Sequence, residues 1–198
     1  MGHLTEVDDY NLVKSVVSGN KGDFAELVRR YKNKVYSTAL RMTKSKEDAE
    51  DIAQDVFLKV YSGLPSFRAE SNFSTYLYRI TMNTSIDYLR KKTIKPNPSS
   101  LYVDSEDGEY AIELEDTSPS PLAALEEKEK IIFLRKAIEN LPDNHKQMII
   151  LRDINELSYD EIGEIMNLSE ETVKSRINRA RARLKKDIEE SGNISLLE

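Results

Sequence analysis

Cysteine is absent from this chain of 198 residues, and histidine occurs only at His3 and His145. Without thiols, disulfides, thiolate zinc sites, iron–sulfur clusters and thiol nucleophiles are excluded by composition. Metal or acid–base sites built on imidazole are poorly supplied. Glycine and proline are also scarce, at 7 and 6 residues, and the sequence holds no phosphate-cradling glycine loop, no Glu-x-x-His pair and no nucleophile signature. No apolar run reaches the length of a bilayer span, and Met1 to Tyr10 carries neither a basic region nor an apolar stretch of the export type. The expectation is a cytoplasmic protein that uses no cofactor and catalyses no reaction of its own.

What is present is charge: 32% of residues are charged and 39% are hydrophobic, a balance suited to a soluble, helix-rich chain. The net charge of −6 argues, as an average, against nucleic acid, because phosphates are neutralised by Lys and Arg. Its distribution reverses that inference. Between Thr93 and Ser120, prolines 96, 98 and 119 and the acidic series Asp104, Glu106, Asp107, Glu109, Glu113, Glu115 and Asp116 break any apolar period. This segment reads as a flexible acidic linker. The expected organisation is therefore all-α, with one small helical domain over residues 1–92, the linker over 93–120 and a second small helical domain over 121–190.

Helical periodicity supports both halves. Phe24, Leu27, Val28, Tyr31, Val35, Ala39 and Met42 form one apolar stripe. Ala49, Ile52, Ala53, Val56, Phe57, Val60, Tyr61 and Leu64 form the next, after a start signal at Ser45, Glu47 and Asp48. With a short helix over 8–17 and another over 73–92 that turns Leu77, Ile80, Thr84 and Tyr88 inward, the first domain has four helices. Downstream, one helix is expected over 121–140 and another from Pro142 to near Asn155. Ser158 followed by Glu161 is a capping-box signature, and Asn167-Leu168-Ser169 is a turn whose serine caps the last helix. Helix, short turn and capped helix is the helix-turn-helix pattern.

In the last helix Val173, Ile177, Ala180 and Leu184 must pack inward, which turns Lys174, Ser175, Asn178 and Arg179 outward. Arg176, Arg181, Arg183, Lys185 and Lys186 flank that face, and no acid interrupts from Thr172 to Lys186. Such a helix suits a major groove, where Lys, Arg and Asn reach base edges and flanking cations meet phosphates. A second cluster runs from Phe67 and Arg68 through Asn72, Phe73, Ser74, Tyr76 and Arg79 to Asn83, Arg90, Lys91 and Lys92. Rings and hydroxyls beside cations suit unstacked single-stranded bases. Phe73, Leu77 and Ile80 are better explained as core.

Four stretches, in order and at matching intervals, carry a resemblance. Asp48-Ala49-Glu50-Asp51-Ile52-Ala53-Gln54-Asp55-Val56-Phe57, then Asn72 to Ile80, then Leu141-Pro142, and finally Leu157 to Gly163 with Thr172-Val173-Lys174-Ser175-Arg176 resemble the signatures of extracytoplasmic-function sigma factors of the sigma-70 family. The resemblance spans residues 24–186. It implies a chain that binds core RNA polymerase, recognises minus-thirty-five and minus-ten promoter elements and promotes melting for transcription initiation. By matching positions, Asp51, Gln54 and Asp55 would dock on the polymerase clamp helices, the beta flap being a further partner surface. Phe67, Arg68, Ser74, Arg79, Asn83, Arg90 and Lys91 would meet the melted non-template strand of the minus-ten element. Thr172, Lys174, Ser175, Arg176, Asn178 and Arg179 would read the minus-thirty-five duplex. The resemblance also implies an inhibitory anti-sigma partner, often membrane-anchored. Most relatives carry tryptophan where this chain has Tyr76, and Asn178 is not a fixed residue of the family. Two other readings compete: a dimeric operator-binding regulator, which leaves the cluster from Phe67 to Lys92 unused, and a helical-bundle metalloenzyme built on Glu47, Glu50, Asp51 and Asp55.

Overall fold

The computed structural model describes residues 8–67, 72–94 and 121–191. Eight α-helices occur among them: α1 (Asp9–Val17), α2 (Lys21–Thr43), α3 (Lys46–Gly63), α4 (Phe73–Ile94), α5 (Pro121–Asn140), α6 (Asp143–Ile149), α7 (Tyr159–Met166) and α8 (Glu170–Glu190). There is no strand among the described residues. Most of the expected acidic linker, residues 95–120, lies outside them, and α4 runs two residues past the expected end at Lys92.

Local chemistry sets the boundaries. Asp8, Ser45, Ser158 and Ser169 each accept a hydrogen bond from a backbone N–H of the first turn, satisfying donors that have no intrahelical partner. The capping box at Ser158 and Glu161 is complete in both directions. Asn167 ends α7 in the left-handed conformation at φ 53°, a region that asparagine tolerates better than most residues. The helix expected to run unbroken from Pro142 to near Asn155 instead widens into a π turn over Ile150–Ile154, where the Asn155 N–H donates to the Ile150 carbonyl at 2.9 Å.

The N-terminal module packs α1–α4 around Leu27, Val35, Ala39, Ile52, Val56, Val60 and Leu77. Tyr61, expected inside, is 39% exposed: it sits at the rim, edge-on to Phe24 with centroids 4.9 Å apart. The C-terminal module is built on Met148, Ile149, Ile150, Leu151, Ile162, Val173, Ile177 and Ala180. Met42, Tyr78 and Met82, which belong to the first module by sequence, are buried in this second core.

Candidate nucleic-acid interface

The helix-turn-helix depends on one close approach. A side chain added at Gly163 would lie 2.8 Å from the Leu168 carbonyl oxygen, so the turn folds back onto α7 at a distance only glycine permits. On α8, Val173, Ile177 and Ala180 are buried, Lys174, Asn178 and Arg179 are exposed, and Thr172, Ser175 and Arg176 are half-buried beside them. Arg179 Nη2 donates to Ser175 Oγ at 2.7 Å, and the Thr172 hydroxyl lies 2.8 Å from the capping Ser169 Oγ.

The basic run divides into two sets. Arg181 is bonded through its fork to Asp153, Arg183 pairs with Asp187 at 2.8 Å, Lys185 with Glu189 at 3.8 Å and Lys186 with Glu190 at 3.5 Å. Lys174, Arg176 and Arg179 have no ion-pair partner among the described residues. The acid-free stretch seen in sequence is thus compensated from outside itself, along the half of the helix farther from the turn.

In the N-terminal module, α4 exposes one polar stripe: Arg79, Asn83, Asp87 and Arg90 are all accessible, at steps of three or four residues, with Lys91 beside them. Arg90 Nη2 is 3.2 Å from Asp87 Oδ1 in an exposed pair. At the N-terminal end of the stripe, the Arg79 guanidinium lies 5.7 Å from the Tyr76 ring centroid, and Phe67 packs on Tyr76 at 4.8 Å. Burial raises the Tyr76 phenol pKa. A side chain at Gly63 would fall 2.2 Å from the Tyr76 hydroxyl, so this glycine makes room for the tyrosine. Phe67 also meets Phe73 edge-on at 6.4 Å, and Phe73 meets Tyr31 at 5.4 Å. Phe67, Ser74 and Arg79 lie toward the N-terminal end of α4 and Asn83 stands at mid-helix, while Arg90 and Lys91 lie about 16 Å beyond Arg79 along the axis at 1.5 Å per residue. Arg68 lies outside the described residues.

The basic end of α4 is fixed by Asp48. Its carboxylate accepts from Tyr88 Oη at 2.5 Å and Lys92 Nζ at 2.7 Å. Burial would raise this carboxyl, but the hydrogen bonds from Lys92 and Tyr88 outweigh burial and hold it below its usual range; the Tyr88 phenol is pushed up to about 12 by the same contact. Lys92 is thereby engaged inward.

Asp51, Gln54 and Asp55 are exposed on one face of α3. Leu58 continues that face and is 68% exposed, a residue the sequence reading did not select. Its signal was available: an apolar side chain out of phase with the stripe of Ile52, Val56 and Val60. Glu47, Glu50, Asp51 and Asp55 spread along α3, and among the described residues no group of three or more potential ligands converges as a metal site. No described helix is long and apolar enough to cross a membrane.

An all-α chain with a capped helix-turn-helix and an exposed cationic reading face is a helical DNA-binding protein. Comparison with known proteins narrows the class. Residues 27–94 match sigma-70 region 2 and residues 134–184 match sigma-70 region 4. The chain is 39% identical over 186 residues to the ECF RNA polymerase sigma-E factor of Haemophilus influenzae, spanning 93% of this chain and 97% of that one. It is 38% identical over 181 residues to the ECF RNA polymerase sigma factor SigW of Bacillus subtilis, spanning 89% and 94%. CnrH, solved with the cytosolic domain of CnrY, shares the fold at a TM-score of 0.66 and 24% identity over 91% of this chain and 97% of that one. The sigma factor RpoE of Bartonella quintana, solved with the anti-sigma factor NepR, does so at 0.62 and 24% over 84% and 97%. The chain belongs to the extracytoplasmic-function sigma factors of the sigma-70 family, alternative sigma factors that direct promoter recognition for transcription initiation. Family membership displaces both the operator-binding regulator and the metalloenzyme.

Proposed function

We propose that the two modules, over residues 1–92 and 121–190, divide promoter recognition between duplex and melted strand while core polymerase supplies the catalysis. Helix α8 enters the minus-thirty-five major groove with Lys174, Asn178 and Arg179 at base edges and Thr172, Ser175 and Arg176 alongside. The observation that carries this reading is the split in the basic run: cations at the contact positions lack carboxylate partners, whereas the four beyond them are paired. An unpaired cation can meet DNA without first breaking an ion pair.

The minus-ten non-template strand meets Phe67, Ser74, Arg79 and Asn83, with Arg68 in the adjoining loop and Arg90 and Lys91 on the backbone. Binding that favours the opened state is sufficient for strand opening, so no hydrolysis by this chain is required. Asp51, Gln54 and Asp55, extended by Leu58, form the surface for the polymerase clamp helices, and the beta flap takes the C-terminal module. Once one module is seated, linkage raises the effective concentration of the other through the acidic connection over 93–120. An anti-sigma factor is a further partner, an inference supported by the complexes of CnrH and RpoE. The working compartment is the cytoplasm, and a membrane-anchored anti-sigma factor would hold the chain at its inner face.

Run-off transcription with purified core enzyme tests the reading. Templates carrying both intact elements should give one start site, and scrambling the minus-thirty-five element should reduce the product at least tenfold. Equal product from intact and scrambled templates would overturn the assignment of α8.

A further inference from the structure

The first turn of α8 carries two acids, Glu170 and Glu171, and its far end carries Asp187, Glu189 and Glu190. The three distal acids pair with Arg183, Lys185 and Lys186. The two proximal ones differ in direction. At 3.6 residues per turn, Glu171 falls in line with Lys174, Ser175 and Asn178, on the side of the helix opposite the buried Val173 and Ala180. Glu170 is rotated from it by about 100°, toward the hollow that it lines with Asp160, Glu164 and Asn167. Glu171 is exposed, and its carboxylate has neither a hydrogen-bond nor an ion-pair partner among the described residues. Lys174 stands three residues on and does not close a pair with it.

A carboxylate in the middle of a DNA-reading face works against affinity, because phosphates repel it and its charge opposes that of Lys174, Arg176 and Arg179. The helix dipole is not a sufficient reason for it. Any acid of the first turn gains from the dipole, and Glu170 does so from outside the face. Capping is not the reason either, since Ser169 provides the cap. The major groove offers one. Cytosine presents there a single hydrogen-bonding group, the N4 amino donor; guanine presents the N7 and O6 acceptors, thymine the O4 acceptor, and adenine an N7 acceptor beside its N6 donor. An ionised carboxylate only accepts, so it suits cytosine, is repelled by guanine and thymine, and meets adenine's N7 lone pair beside the donor. Residues at the N-terminal end of a recognition helix are those that reach base edges.

We infer that Glu171 is a specificity-determining residue of the minus-thirty-five contact, its carboxylate accepting a hydrogen bond from N4 of a cytosine and so selecting one C·G pair of the element. The inference rests on the placement of α8 in that groove proposed above. It adds an acceptor to a face whose other charged groups, Lys174, Arg176 and Arg179, are all donors. The cations strengthen binding to any sequence through its phosphates. Glu171 acts by discrimination: opposite any other pair it loses water without gaining a full donor.

Holoenzyme formed from the full chain and core polymerase provides the test, on templates that carry each of the four base pairs in turn at each minus-thirty-five position, compared by competition binding. With the wild-type chain, one position should favour C·G over the other three pairs by about tenfold. Glu171→Ala should bring that preference within about twofold and leave every other position unchanged. Glu171→Gln should move the preference at the same position to A·T, because an amide pairs with adenine N6 and N7 together. Both substitutions leave the cap at Ser169 in place. Tighter binding of all templates alike by both variants would mean that the carboxylate only repels phosphate, and would overturn the inference. So would a wild-type chain that discriminates among templates and a Glu171→Ala chain that discriminates identically. A wild-type chain indifferent to the whole element is a different result, which overturns the placement of α8 and the inference with it.

Discussion

Helices α4 and α8 are both long and both carry cations, yet they use their surfaces differently. α8 buries one stripe and leaves Lys174, Asn178 and Arg179 in solvent, with Thr172, Ser175 and Arg176 half-buried beside them, so its reading face is available as folded. α4 buries two faces and retains a narrow polar strip of Arg79, Asn83, Asp87 and Arg90. The contrast suits their targets. A duplex offers a preformed groove to a protruding helix, whereas an unstacked base needs a recess beside aromatic rings, which Phe67, Tyr76 and Phe73 supply only because other elements hold them in place.

The comparison can be broken from the N-terminal side by Asp48. Asp48→Ala leaves Lys92 and Tyr88 without their acceptor; Asp48 is buried but Lys92 is half exposed, so the cost is that of lost charge-assisted hydrogen bonds, about 1–3 kcal/mol. Thermal denaturation should show the loss, with minus-ten binding falling alongside it. Because the folded-state pKa of Asp48 is depressed below its ordinary 3.8, its stabilisation is fully present above that value and is lost as pH falls through the lower folded value. Asp48→Asn should therefore flatten the acid limb of the stability curve, as read by circular dichroism between pH 5 and 2.

From the C-terminal side, Gly163→Val forces a side chain against the Leu168 carbonyl and should destabilise the turn by about 1–3 kcal/mol, as overpacking does. Minus-thirty-five binding should fall with it while strand capture on a pre-melted template is retained. Lys174→Ala and Arg179→Ala sharpen the distinction, since each should weaken duplex readout by about 1–3 kcal/mol without changing fold stability. Asn83→Ala should do the converse, reducing affinity for minus-ten single strand by about 1 kcal/mol, the worth of one hydrogen bond, with no effect on duplex. The smallest effect belongs to Arg183→Ala: its exposed pair with Asp187 contributes little, and both stability and duplex affinity should move by less than about 0.5 kcal/mol.

Features governed by near neighbours in the chain were legible in the sequence. The caps at Ser45, Ser158 and Ser169, the inward stripe of α8 and the exposure of Asp51, Gln54, Asp55 and Asn83 follow from side-chain chemistry and a period of 3.6. What escaped depends on residues distant in sequence. The second buried face of α4 exists because α7, some eighty positions later, covers Tyr78 and Met82. Read in isolation, α4 shows apolar residues on several sides and only a weakly defined inward face. The pairing of Arg181 with Asp153 was invisible for the same reason, and with it the division of the basic run. The π turn at Ile150–Ile154 inserts one extra residue just after the apolar run Met148–Leu151, and periodicity alone does not register that.

Promoter opening by this chain should require partnership with core enzyme. A fluorescent adenine analogue placed in the minus-ten non-template strand reports unstacking as a rise in emission. The prediction is a rise when chain and core polymerase are both present, none with either alone, and its loss when Asp51 and Asp55 are both changed to Lys. Emission that rises with the chain alone, or that stays flat with both components on a cognate promoter, would contradict it.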